Sequence, residues 1–319
     1  MITRRFLALA ALAVATSTAF AQPASRIIIV APFPPGGPVD TLSRLLADGL
    51  QKKQGRTALV ENVPGGAGNI GIDRVKRARP DGDTLLVIPA GNLTINPTLM
   101  PNFPFDIQRD FVPVTMLATA PNVLVAGPGA GVKNVQELLA QAKAKPGTLS
   151  YASPGVGSGL HLAGELFKQQ TGADILHVPY KGTGPALNDV LGGTVPLMFS
   201  NLPATLGHIK SGKLVALGVT DKQRTSVAPE IPTLLEQGVK GVEVTSWYGL
   251  MAPAGTPAEV AARLAKDAQD ILSQPAVREQ LKAQGLQPVT MTPAEYAAHI
   301  QAETATWAGI LKSRNIKAE

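Results

Sequence analysis

Apolar positions along the chain fall into short runs of strand length that alternate with helical patterns. Ile27–Val30 reads as a buried strand of β-branched residues. Over Thr41–Gln51, Leu42, Leu45, Leu46 and Leu50 recur at helical spacing on one face. Thr57–Glu61 predicts the next strand, followed by a glycine loop, a helix to about Arg79 and a strand at Thr84–Ile88. This β-loop-α-β-loop-α-β order predicts a parallel sheet with helices on both faces. A second set begins near Pro121, with strands predicted at Val123–Ala126, Leu149–Ala152, Ile175–Tyr180, Val195–Phe199 and Leu214–Val219. Helical patterns at about Val135–Ala144, Leu160–Gln170, Ala186–Leu191 and Ala204–Lys210 lie between them. This is a second α/β lobe.

The C-terminal part changes character. Thr256-Pro257-Ala258-Glu259 and Thr292-Pro293-Ala294-Glu295 each combine an N-cap threonine, proline at the first helical position and glutamate at the third, the pattern of a capping box. The helices they open have no strands of their own and are expected to return over the first lobe. The chain then crosses between lobes twice, near Leu117–Asn122 and near Glu243–Met251, dividing it into residues 22–119, 120–244 and 245–319. Two crossings make a hinge, and a cleft between hinged lobes is a common small-molecule site.

Composition narrows the class. At 319 residues, 45% hydrophobic and 16% charged, the chain is a packed globular protein too long for one core. Gly 32 and Pro 27 imply many tight turns, and aromatics at 4% are too few for stacking platforms on single-stranded nucleic acid. The absence of cysteine excludes disulfides, thiolate metal sites and a lipid-anchored cysteine. Arg4 and Arg5 precede the apolar run Phe6–Val14 and then Ala19-Phe20-Ala21, the layout of a secretory signal over residues 1–21 with cleavage expected after Ala21. Cleavage lowers the formal net charge of +6 by two. The apolar run is shorter than the ~20 residues needed to span a bilayer. A cysteine-free exported chain fits a bacterial periplasm, and export with modest charge disfavours nucleic acid as a partner.

Candidate chemistry sits in loops that follow predicted parallel strands, where ligands bind in open sheets. Phe33-Pro34-Pro35-Gly36-Gly37-Pro38-Val39-Asp40 is the first; its glycines permit close backbone approach, and free N–H groups at the helix start attract anions. A branched side chain at Gly37 is expected to clash with a positive φ, while Asp40 reads alternatively as an N-cap. Asn62-Val63-Pro64-Gly65-Gly66-Ala67-Gly68-Asn69 is the second, offering Gly66 and Ala67; it lacks the spacing of a Walker loop or a dinucleotide fingerprint. Gly91 and Asn92 follow the strand Thr84–Ile88. In the second lobe, Gly157, Ser158 and His161 hold the equivalent place, with Ser158 also suited to cap a helix. Tyr180 and Lys181 lie in a fourth loop, Ser200 and Asn201 after the strand Val195–Phe199, and Ser246-Trp247-Tyr248-Gly249 on the second crossing. His177, His208 and His299 show no metal-ligand spacing. A cleft of backbone amides, hydroxyls and prolines suits binding a small carboxylate and offers no paired acid and base; neither a metal nor a cofactor is implied.

These segments together resemble the Bug family, the periplasmic solute-binding receptors of tripartite tricarboxylate transporters. The resemblance is carried by Pro34-Pro35-Gly36-Gly37-Pro38-Val39-Asp40, Asn69-Ile70-Gly71, Pro80-Asp81-Gly82, Asn96-Pro97, Asp110-Phe111-Val112-Pro113-Val114, Gly157-Ser158 with His161, His177-Val178-Pro179-Tyr180-Lys181-Gly182, and Gly249-Leu250 with Ala252-Pro253-Ala254-Gly255-Thr256-Pro257. It implies a two-lobed Venus-flytrap fold of the type II binding-protein class, with the ligand carboxylate held between the loops Phe33–Asp40 and Gly157–His161. It also implies membrane permease subunits as partners of a monomeric receptor. The chain departs from the family pattern at Gly65, an extra glycine in the second loop, and at Asp83, where tyrosine is common. Two other classes remain open from the residues: a sensor signalling to a membrane kinase, distinguished by gene neighbourhood, and a hydrolase using Ser158 and His161, distinguished by turnover.

Overall fold

The structure is a computed structural model that describes residues 26–317; the expected signal peptide and its cleavage point lie outside the described residues. Its first lobe is a six-stranded sheet in the order β11-β4-β10-β3-β1-β2. Here β1 is Ile27–Ala31, β2 Ala58–Asn62, β3 Thr84–Pro89, β4 Phe111–Ala120, β10 Ser246–Pro253 and β11 Gln287–Pro288. β1 pairs in parallel with β2 and β3, whereas β10 runs antiparallel between β3 and β4. The second lobe has five strands in the order β7-β6-β8-β5-β9. They are β5 Asn122–Ala126, β6 Leu149–Ser153, β7 Ile175–Pro179, β8 Leu197–Asn201 and β9 Val215–Val219. β6 is parallel to β7 and β8, and β5 antiparallel to β8 and β9.

Helices cover both sheets because each presents one apolar face. In α1 (Pro38–Gln54) the buried side is Val39, Leu42, Leu45, Leu46 and Leu50, and Gly55 ends the helix at φ 66. α2 is Asn69–Lys76, followed by two one-turn helices, α3 (Asn96–Leu99) and α4 (Ile107–Asp110). The second lobe holds α5 (Val135–Ala144), α6 (Gly159–Thr171), α7 (Thr183–Leu191) and α8 (Leu202–Lys210). α9 (Ala258–Ser273), α10 (Pro275–Ala283) and α11 (Pro293–Ser313) complete the chain. Among the described residues no helix is long and apolar enough to cross a membrane.

Three features differ from the sequence reading. The long antiparallel strands β4 and β10 stand where only crossings were expected. Both are buried on two faces, so they show no period-two alternation to betray them. Thr292 and Glu295 do form the capping box of α11, but Thr256 does not cap α9: its hydroxyl donates to Pro253 O at 2.8 Å and Pro257 occupies the cap position. Finally, α11 does not simply return to the first lobe. Tyr296 and Ile300 pack in that lobe's core, whereas Trp307 and Leu311 pack with Leu160, Phe167 and Phe199 of the second. Gln169 Nε2 donates to Arg314 O at 3.0 Å beyond the helix end. α11 is a third link between the lobes, alongside β4–Pro121–β5 and the return into β10.

Candidate functional site

The loops after β1, β2 and β3 in the first lobe meet the loops after β6, β7 and β8 in the second around one cavity of about 110 Å³. By the rule that one water needs roughly 10–15 Å³ of such space, it has room for about seven to eleven heavy atoms. Three helix starts, those of α1, α6 and α7, open onto it. The first N–H groups of a helix have no partner inside it and carry its positive dipole end.

The first loop is held from behind. Asp40 does not face the cavity and is not the N-cap; Gly37 is, at φ −94. The Asp40 carboxylate accepts from Gly36 N at 3.2 Å, Arg44 Nε at 3.0 Å and Asn62 Nδ2 at 3.0 Å, and Asn62 also donates to Phe33 O. Burial works against its ionised form, but these donors outweigh it and hold the pKa below the usual carboxylate range. The positive φ belongs to Gly36, at 94°, so Gly37 needs no left-handed backbone. Gly36 is the turn residue, and Phe33, Pro35 and Gly37 line the cavity.

The second loop turns through Gly65, Gly66, Ala67 and Gly68, all at positive φ. Ala67 is one of two described non-glycine residues there, a conformation costing about 1–2 kcal/mol. Its carbonyl accepts from Asn92 Nδ2 at 2.8 Å. Ala67, Gly91 and Asn92 line the cavity; Gly66 lies on the exposed outer side of the turn. Gly91 opens a single π-turn, Gly91–Ile95, that leads into α3.

In the second lobe Ser158 is the N-cap of α6. Its hydroxyl accepts from His161 N at 3.1 Å and donates to Gly155 O at 2.7 Å. His161 lies beneath the loop, 1% exposed, where its Nδ1 accepts from Gly157 N at 3.3 Å. Its ring stacks on His177 at 4.4 Å, which stacks in turn on Tyr151 at 4.9 Å. The serine hydroxyl is therefore not bonded to the imidazole, and the geometry contains no Ser158–His161 nucleophile–base pair. Gly157 and Ser158 line the cavity, with His161 as their support.

Burial pushes the imidazolium pKa down, to about 4 for His161 and about 3 for His177. Both rings are neutral in the folded protein at pH 7, and unfolding exposes them at the ordinary value near 6.5. Below that value the unfolded chain binds protons the folded chain does not. The contribution of these two rings to stability should therefore be flat above about pH 6.5, fall as pH drops toward about 4 and level off below the folded values. Urea midpoints followed from pH 7.5 to pH 4 measure this; a His161→Asn variant should show a shallower decline.

Three other expected contacts are corrected. Tyr180 points its hydroxyl at Asp189 Oδ2, 2.6 Å away, and Lys181 lies off the cavity wall and pairs with no carboxylate among the described residues. Ser200 is fully buried within β8, opposite Val123, with its hydroxyl on Asn201 O. Asn201 lines the cavity, and its amide also ties the hinge: Oδ1 accepts from Tyr248 Oη at 2.9 Å and Nδ2 donates to Asn122 Oδ1 at 2.8 Å. A residue after a strand can face either lobe interior or cleft, and sequence alone does not choose. Wall residues outside the expected loops include Pro89, Ala90, Ile95, Asn96, Val244, Thr245, Glu303 and Trp307, and Thr183 represents the fourth loop in place of Tyr180 and Lys181. Asn96 is 2% exposed and its Oδ1 has no hydrogen-bond partner among the described residues. The chain contains two tryptophans, both on the cavity wall; their rarity was the available signal.

Two mixed α/β lobes, hinged by paired strands and closed over a cavity, define a two-lobed binding protein of the type II, Venus-flytrap class. The chain belongs to the tripartite tricarboxylate transporter family of receptors, whose pattern it matches over residues 42–316. Protein BugT of Bordetella pertussis is 39% identical over 98% of this chain and 96% of its own length. Two solved structures superpose closely: R. palustris Rpa4515 with adipate, at TM-score 0.89 and 33% identity over 93% of this chain and 99% of that one, and MatC from Rhodopseudomonas palustris with bound malate, at 0.85 and 31% over 90% and 99%.

Proposed function

We propose that this protein is a periplasmic receptor, released by cleavage after Ala21, that binds a small carboxylate between its lobes and delivers it as a monomer to the permease of a tripartite tricarboxylate transporter. The observation that carries this reading is the convergence of the starts of α1, α6 and α7 on one cavity whose wall, among the described residues, contains no lysine, arginine or histidine. Backbone amides at helix starts hold an anion without a cationic side chain. The contact set proposed is Phe33, Pro35, Gly37, Ala67, Gly91, Asn92, Gly157 and Ser158, with Thr183 and Asn96 added. Adipate and malate in the two structural relatives support a carboxylate as the ligand class. The protein binds and releases; it carries no catalytic role.

The test is a thermal-shift panel of carboxylic acids on protein refolded after denaturant has stripped any bound ligand, each acid paired with its amide. A ligand at a hundredfold excess over its Kd adds about 2.7 kcal/mol to stability, which should raise the Tm by several degrees. The acid should shift the transition and the amide should not. Equal shifts for both would mean that the cleft reads shape, and a silent panel on folded protein would remove the receptor reading.

A further inference from the structure

The cavity's hydrogen-bond donors and its one charge have a distribution that the carboxylate reading does not by itself require. Tyr248 Oη donates to Asn201, Ser246 Oγ to Asn122 at 2.7 Å, and Ser158 Oγ to Gly155 O at 2.7 Å. Both indole N–H groups donate to a single carboxylate on the cavity wall: Trp247 Nε1 reaches Glu303 Oε2 at 2.6 Å, and Trp307 Nε1 reaches Oε1 at 3.1 Å. The Thr94 hydroxyl lies 3.2 Å from Oε1, and His299 Nε2 lies 3.2 Å from Oε2. Each carboxylate oxygen thus accepts one indole N–H, with Thr94 and His299 close beside, and the Glu303 side chain is 22% exposed. What the wall of β10, the π-turn and α11 presents to a ligand is ring faces and a satisfied negative charge.

We infer that Glu303 is a specificity-determining residue and that the ligand carries one carboxylate on a neutral, apolar body. The inference rests on the carboxylate-receptor reading of the same cavity. One carboxylate finds the amides of the helix starts and is stabilised there. A second, in a space of about 110 Å³, stays within a few ångströms of the Glu303 wall. Salt screening is weaker between the lobes than in bulk solvent, so that repulsion is only partly damped. The hydroxyls of Tyr248, Ser246, Ser158 and Thr245 and both indoles, which would otherwise receive it, already donate elsewhere, and Thr183 stands at the start of α7 with the amides that hold the first. An ammonium fares no better, because it must compete for the Glu303 oxygens with the two indole N–H groups already bonded to them. The neutral body packs instead against Trp247, Trp307 and Leu160.

The experiment compares probes of matched length by calorimetry and thermal shift: hexanoate, adipate and 6-aminohexanoate, with benzoate and terephthalate as an aromatic pair. Wild-type protein should bind the better monocarboxylate about tenfold or more tightly than its dicarboxylate or ammonium partner. Glu303→Gln should bring the dicarboxylate to within about threefold. Dicarboxylates that bind wild type as tightly as monocarboxylates overturn the inference and leave the receptor reading intact. Tightest binding of 6-aminohexanoate overturns it in favour of a direct ion pair with Glu303. Silence from every acid removes both readings together. If Glu303→Gln does not fold, the wild-type comparison decides alone.

Discussion

Gly91→Ala should leave the unliganded protein as stable as the wild type and weaken ligand binding by about ten- to a hundredfold. A Cβ built at Gly91 would lie 2.6 Å from Gly157 O, 3.4 Å from Gly159 N and 3.4 Å from Ser158 Cα. All three are backbone atoms of the opposite lobe, which cannot swing aside as a flexible side chain would. Within its own lobe the residue has a helical setting without positive φ, where alanine is the better helix former. The clash therefore exists only when the lobes are together. Two similar approaches surround it: Gly157 against Asn96, and Gly182 against Pro34 Cδ, where an added carbon would stand at 3.3 Å. Overpacking of this kind costs about 1–3 kcal/mol, and here it is charged to closure alone, which is the step a ligand must drive. Calorimetric titration with the strongest acid from the panel reads the affinity, and the Tm without ligand reads the fold. A variant with a lowered Tm and unchanged affinity would show Gly91 to be a packing residue of its own lobe and nothing more.

The glycines at these lips were visible in the sequence as loops after strands, and the two principal loops do face each other across one cavity. That much follows from local chemistry: β-branched runs, Pro at the start of α1, Ser158 at the start of α6, and glycine where the backbone turns. The helix expected at Val135–Ala144 has those limits in the structure. The direction in which each loop residue points was not readable. Asp40, His161 and Tyr180 are turned from the cavity by partners on other elements, Asn62, His177 and Asp189. The role of α11 was hidden for the same reason. Its apolar residues divide between two cores, Tyr296 and Ile300 on one and Trp307 and Leu311 on the other, and no periodicity records which core a residue joins. Trp247 meets Glu303 across 56 positions of chain; such pairs exist only once the lobes have been assembled.

Asn122→Ala should lower stability by about 2–4 kcal/mol, the larger of the two effects on folding expected for the hinge. Asn122 is the first residue of β5, directly after Pro121, and is fully buried where the two strand crossings run side by side. Its Nδ2 donates to Val244 O at 2.8 Å, while its Oδ1 accepts from Asn201 Nδ2 at 2.8 Å and Ser246 Oγ at 2.7 Å. The backbone N–H of Asn122 reaches Asp221 Oδ2 at 3.3 Å. One side chain thus ties the outgoing crossing to the returning one and to the end of β8. Removing it orphans a buried amide and a partly buried hydroxyl, each worth about 1–3 kcal/mol when left unsatisfied and fully dry, and takes one of two donors from Val244 O. The sum is reduced because Val244 O keeps its bond from Thr220 and the vacated space admits water. Ser246→Ala breaks one of the same bonds and leaves Asn122 with Asn201, so it should cost about 1 kcal/mol. Urea unfolding of the two variants beside the wild type separates them, and at about 2–4 °C per kcal/mol for chains of this size the Asn122 variant should melt roughly 5–15 °C lower. Equal, small losses for both would mean that the crossings are held by strand pairing of β4 with β10, and that the asparagine only fills the space between them.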